Sequence, residues 1–338
     1  MNYPYPGPSY TPSYIPPTPQ QSESRDLRRV ASFIGFLMLA LTVSMQFTYP
    51  LIVLVLTATG ILTQGAAVQV QLGLDNTTFM CIYALVYTLA MGSPLLLVLG
   101  NRRLFSYKPP RENVSGGISF LAILGAVGGC MGANIVTSIL MTLLENWNVP
   151  IPEMSDMMEP TPISLLLNLL VIAVLPALLE EAVFRGCVLR ALRPYGDCFA
   201  VVVSAVLFGL MHGNIRQIPF AVIVGLILGW LYVTTNSIAL PILVHFINNA
   251  LSVCMEYLAF GMDDTRISVF YGGIIYGLTV LGAIMAIILL FVRGTQLRMQ
   301  PSATLLPVGE KISALFKSPT FVISIIVFIG LIGLELML

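Results

Sequence analysis

The chain is short of charge and almost without histidine. Of its 338 residues, 9% are Asp, Glu, Lys or Arg, the 16 basic side chains balance the 16 acidic ones, and only two residues are histidine. Nothing in a neutral, apolar chain of this kind favours nucleic acid, and no such partner is expected. The five cysteines (Cys81, Cys130, Cys187, Cys198, Cys254) show neither CxxC nor Cys/His spacing. They form no disulfide framework or zinc finger and read as small core residues in apolar runs. Internal repeats, a Walker loop, a dinucleotide fingerprint and a GxSxG elbow are all missing. Those absences remove the nucleotide-driven and serine-hydrolase classes that such motifs mark.

Apolar residues make up 57% of the chain, and the mean hydropathy is +0.90. Runs long enough to span a bilayer lie near 31–62, 77–100, 116–144, 163–189, 198–213, 218–235, 238–260, 267–292 and 320–338. Some of them are ambiguous: the first contains Pro50, which predicts a kink, and the run at 198–213 is short. The expected fold is all-α, a polytopic transmembrane bundle of about eight helices, or nine if 320–338 spans, with the lipid bilayer as its medium.

Residues 1–24 are rich in Pro, Tyr, Ser and Thr and cannot bury a core, so they predict a disordered tail ahead of a single transmembrane domain at 25–338. If each run crosses once, thirteen Lys and Arg residues fall on one side: Arg25, Arg28, Arg29, Arg102, Arg103, Lys108, Arg111, Arg190, Arg193, Arg293, Arg298, Lys311 and Lys317. Only Arg216 and Arg266 fall on the other. Connections rich in Lys and Arg stay in the cytoplasm, so the amino terminus is expected inside a multi-pass protein of the cell membrane. Gly pairs at four-residue spacing (125/129, 128/132, 225/229, 273/277) predict close helix packing and no chemistry.

Against that apolar background, both histidines and a pair of carboxylates stand inside spans: Glu180-Glu181 with Arg185, Phe208 with His212, and His245 with Asn249. Ionisable groups are expensive in hydrocarbon, so their presence there points to a site. Glu181 and Arg185, four apart on a helix, share a face and can pair; Glu180 is rotated by about 100° and lacks that partner, which leaves it free to accept a proton as a general base. Phe208/His212 and His245/Asn249 share faces by the same spacing. At about 1.5 Å per residue, Glu180, His212 and His245 fall at depths of about 20, 21 and 13 Å, so the three can meet in one chamber. The polar stretch Gly213-Asn214-Ile215-Arg216-Gln217 would be tolerated at that depth only buried in protein or lining water.

EExxxR from Glu180 to Arg185, FxxxH from Phe208 to His212 and HxxxN from His245 to Asn249, in that order on successive apolar helices, resemble the CAAX-protease and bacteriocin-processing (CPBP, or ABI) family of intramembrane proteases. The likeness covers about 163–260, and no motif position departs from the pattern. The resemblance implies endoproteolysis of a membrane-associated peptide or protein, without a cofactor. It makes Glu180 the base, His212 its partner in holding the water, and His245 with Asn249 the oxyanion hole. Glu181, Arg185 and Phe208 would support the site. A zinc-dependent protease built on the same residues is one alternative, weakened by the lack of HExxH and by Asn249 being a poor zinc ligand. A non-catalytic membrane factor, for bacteriocin self-immunity or scaffolding, is a second. An ion or proton transporter is a third, weakened because the charges cluster in one half of the chain without a broken-helix counterpart in the other.

Overall fold

The computed structural model describes residues 18–60, 76–99, 114–151, 161–292, 297–299 and 304–337, and among them there is no strand. Ten helices follow one another: α1 (Pro19–Ala58), α2 (Asn76–Gly92, prolonged by a 3₁₀ turn and a last turn to Leu99), α3 (Gly116–Asn146) and α4 (Pro162–Tyr195). After these come α5 (Asp197–Met211), α6 (Gln217–Thr235), α7 (Ala239–Ala259), α8 (Asp264–Val292), α9 (Val308–Phe316) and α10 (Pro319–Glu335). Seven of these are long and apolar enough to cross a bilayer, and eight if α9 and α10, bent by 80° at their junction, count as one span. The chain is a multi-pass helical membrane protein.

The run at 198–213 becomes α5, a 15-residue helix. A straight crossing needs about 20 residues, so α5 stops inside the bundle. The stop has a local cause: Gly213 adopts φ +64°, a left-handed conformation that ends a helix cheaply only at glycine. The chain turns back through residues 213–216 and re-enters as α6, which packs along α5 as a hairpin. Pro50 lies inside α1 without interrupting the helix.

Residues 1–17 of the expected tail lie outside the described residues, but its boundary at 24 moves. Thr18 caps α1 in a reciprocal capping box with Gln21, and Pro19 occupies the first turn, so the helix starts several residues early. Glu23 then accepts from the Leu305 amide at 2.9 Å and from the Thr304 hydroxyl, tying this end of α1 to the segment before α9. Two basic residues counted as cytoplasmic loop charges also prove to be internal. Arg193 is 2% exposed and bonds Asp197, Asn236 and the Val233 carbonyl, and Lys311, 5% exposed, donates to the Tyr195 carbonyl. The cysteines divide: Cys130 and Cys187 are buried, Cys254 is half-buried, and Cys81 and Cys198 are exposed rather than in the core.

The core is built in two blocks. One gathers apolar residues of α1, α4, α5 and α10; the other gathers those of α3, α6 and α7. Three of the four glycine pairs sit at helix contacts. A Cβ on Gly128 would overlap the Gly282 backbone of α8, one on Gly225 would crowd Ala205 of α5, and one on Gly229 would crowd Val201. The pair Gly273/Gly277 meets nothing and does not serve packing. Gly128→Leu should therefore destabilise the bundle by about 1–3 kcal/mol or more, since backbone cannot yield to the added atoms, while Gly277→Ala should be near neutral. Thermal unfolding in detergent, followed by size-exclusion profile, measures both.

Candidate active site

α4 does not run as a regular helix. It widens into π-helical stretches at Leu169–Val174 and Ala182–Leu189, bracketing the short α-helical segment that bears Pro176, Glu180 and Glu181. Such bulges interrupt the backbone ladder and re-aim side chains. Pro176 has no N–H, so the Ile172 carbonyl, four residues earlier, loses its ordinary helical donor. That carbonyl instead accepts from the side-chain amide of Asn249 on α7, at 2.8 Å.

The two adjacent carboxylates have separate surroundings. Glu181 is fully buried, and its Oε1 receives Arg185 Nη1 at 2.8 Å and His245 Nδ1 at 2.9 Å. Arg185 also donates to the Gly225 carbonyl of α6 at 3.2 Å and lies 4.9 Å over the ring of Phe208. Glu180, 6% exposed, has no cation of this kind. Its Oε1 accepts the hydroxyl of Tyr87 from α2 at 2.6 Å, and its Oε2 stands 3.8 Å from His245 Nε2, beyond hydrogen-bonding range.

Both imidazoles are held through Nδ1. The end of α5 tightens so that the His212 amide bonds back to Gly209; this frees the Phe208 carbonyl, which takes the His212 ring nitrogen Nδ1 at 2.8 Å. A carbonyl cannot donate, so His212 carries its proton on Nδ1, and Nε2 is the nitrogen left to the cavity. His245 likewise gives Nδ1–H to Glu181 and keeps Nε2 for the cavity. Phe208 packs edge-on to both rings, with centroids at 5.0 Å from His212 and 6.1 Å from His245, and spaces the two.

All four residues expected to act, Glu180, His212, His245 and Asn249, line one cavity of about 380 Å³, with Tyr83 and Tyr87 of α2 and Met45 of α1 on its remaining wall. Phe208 lines the same cavity, while Glu181 and Arg185 lie outside its lining and bond one another. The polar stretch after His212 also finds the setting it requires: residues 213 and 214 line a second cavity of about 440 Å³, shared with Gln46 and Glu335, and Glu335 Oε2 accepts the Ile215 amide at 3.2 Å.

Three participants escaped the sequence reading. Tyr87 is the donor to Glu180; its signal was a pair of phenols, Tyr83 and Tyr87, four apart in an apolar run. The bond between Glu181 and His245 joins residues 64 apart, and no spacing rule reaches that far. Asn248, 2% exposed, gives its amide to Asn249 Oδ1 at 3.0 Å, while its own Oδ1 is buried without a partner.

Residues 162–251 match the family model described as Type II CAAX prenyl endopeptidase Rce1-like. Two curated proteins resemble part of the chain. Over 102 residues, 30% of this chain and 40% of the relative, it is 27% identical to YdiL of Bacillus subtilis (strain 168), which bears the name membrane peptidase. Over 94 residues, 26% of this chain and 38% of the relative, it is 31% identical to the membrane-embedded CAAX protease MroQ of Staphylococcus aureus (strain USA300). The matched segment thus spans about two fifths of each relative's length. No solved structure matches significantly. Every cavity residue except those lent by α1 and α2 falls within 162–251, so the likeness to the CAAX-protease (CPBP) family is carried by the segment that builds the cavity.

Proposed function

We propose that the protein is an intramembrane endopeptidase that hydrolyses a peptide bond of a membrane-associated peptide or protein through a water activated by Glu180. The observation that carries this reading is the convergence of one cation-free carboxylate, two Nε2 atoms and one amide on a single cavity inside an apolar bundle. The family model and the names of both relatives, one a membrane peptidase and the other a CAAX protease, support the same class. The basic residues outside the spans support a cytoplasmic amino terminus in this reading.

In this reading Glu180 Oε2 and the lone pair of His212 Nε2 hold the water. Glu180 takes a proton as the water oxygen bonds to the scissile carbonyl carbon, and the carbonyl oxygen gains the negative charge. His245 and Asn249 face that oxygen. His245, held through Nδ1 by Glu181, turns Nε2 toward that oxygen. Asn249 offers the Nδ2 hydrogen not spent on Ile172. The C–N bond then breaks and the proton on Glu180 passes to the leaving amine. Preorganised donors of this kind contribute about 3–4 kcal/mol each where water is excluded.

The reading is metal-free, because Asn249 is a poor zinc ligand and one oxygen of Glu180 already accepts from Tyr87. No step is routed through a metal.

Comparative peptidomics of membranes carrying the native chain or Glu180→Gln should show a set of cleavage products lost with the variant at unchanged protein level; identical peptide profiles would leave only the non-catalytic reading. On a peptide so identified, Asn249→Ala should lower kcat about a hundredfold or more with little change in KM. Arg185→Ala acts differently, because it leaves the buried Glu181 charge short of its cation. A loss of about 3–5 kcal/mol should appear as reduced folded yield and Tm. Extended chelation should leave turnover intact; loss restored only by added zinc would replace the metal-free mechanism.

A further inference from the structure

We infer that Tyr87, on a helix outside the family-matched segment, is a positioning residue for the base: its hydroxyl tethers Glu180 and keeps the carboxylate from collapsing onto His245. The inference rests on the protease reading above and adds to it a residue that neither the motifs nor the comparisons assign.

Glu180 sits in an apolar bundle with no cation of its own, since Arg185 is spent on Glu181. Among the described residues the only hydrogen bond it receives is from the Tyr87 hydroxyl, at 2.6 Å, the short distance typical of O–H donating to a carboxylate. That bond engages Oε1 and determines which way Oε2 points. The terminal torsion of a glutamate is soft and roughly two-fold, so without a tether the carboxylate turns easily.

What lies within reach is His245 Nε2, 3.8 Å from Oε2. This separation is too long for a direct hydrogen bond. A small rotation of the untethered carboxylate would close the gap. Glu180 would then pair directly with His245, occupying the nitrogen meant for the oxyanion and leaving no place for water. The chemistry asks for two groups kept near each other and apart, and a phenol on a neighbouring helix supplies the restraint. Tyr87 acts through Glu180, the group its hydroxyl holds.

The test uses the full chain in detergent with a peptide identified by the peptidomics above. Tyr87→Phe keeps the ring and removes the hydroxyl. It should lower kcat about 10- to 100-fold, the effect of losing a hydrogen bond to a charged group, with KM within about threefold and Tm unchanged. 3-Fluorotyrosine placed at position 87 retains the hydroxyl and should retain turnover. Its fluorine resonance, read without any substrate, should move when Glu180→Gln is introduced. Wild-type kcat in Tyr87→Phe, while Glu180→Gln is inactive, would overturn the inference and leave the protease reading standing. A fluorine resonance indifferent to Glu180→Gln would overturn the contact itself. If Glu180→Gln changes no peptide in membranes, the protease reading fails instead, and the role inferred for Tyr87 fails with it.

Discussion

One oxygen of one buried carboxylate holds three helices in register around the cavity. Glu181 Oε1 on α4 takes the guanidinium of Arg185 and the imidazole of His245 from α7, and Arg185 continues to a backbone carbonyl of α6. In a water-free interior such a pair is costly to assemble and more costly to break by halves, because removing one partner strands the other's charge. The same bonds decide how His245 faces the cavity, so stability and orientation are not separable here. Glu180, one residue away, makes no hydrogen bond within this network because the helix turns it by about 100° from Glu181.

The hairpin of α5 and α6 supplies the rest. α5 ends partway through the bundle, and its last turn tightens so that the Phe208 carbonyl is released to its own downstream side chain, His212. A helix running through would have consumed that carbonyl in a backbone bond. Phe208 therefore contributes twice, with its carbonyl as the anchor of one imidazole and with its ring as the spacer between both. The polar turn that follows survives at this depth because it lines a cavity and because Glu335, from the far end of the chain, accepts one of its amides.

Helix placement was legible in the sequence because apolar runs of about 20 residues admit few other structures, and so were the seven motif residues, because helical spacing puts each pair on one face. Spacing also predicted the Glu181–Arg185 pair correctly. It could not give the bond from Glu181 to His245 or from Tyr87 to Glu180, which depend on how helices dock. The start of α1 was misplaced for a different reason. Composition marked a Pro-rich tail up to residue 24, and the Thr18/Gln21 cap with Pro19 reads as part of that tail until it is recognised as a helix start. Arg193 and Lys311 misled as loop charges: Arg193 pairs with Asp197 four residues on and with the remote Asn236, and Lys311 donates to the backbone carbonyl of Tyr195.

Pro176 lines the cavity as an apolar residue, yet through the main chain it also determines what Asn249 can do. By withholding one amide hydrogen it turns the Ile172 carbonyl into a vacant acceptor facing the next helix, and the carboxamide of Asn249 docks there. The orientation of a side chain on α7 is thereby written into the main chain of α4 as a missing atom. Any other residue at 176 would bring back an amide hydrogen to compete with Asn249 for that carbonyl. The demand on this position is for an imino acid rather than for a size or polarity, a kind of selectivity that hydropathy does not register.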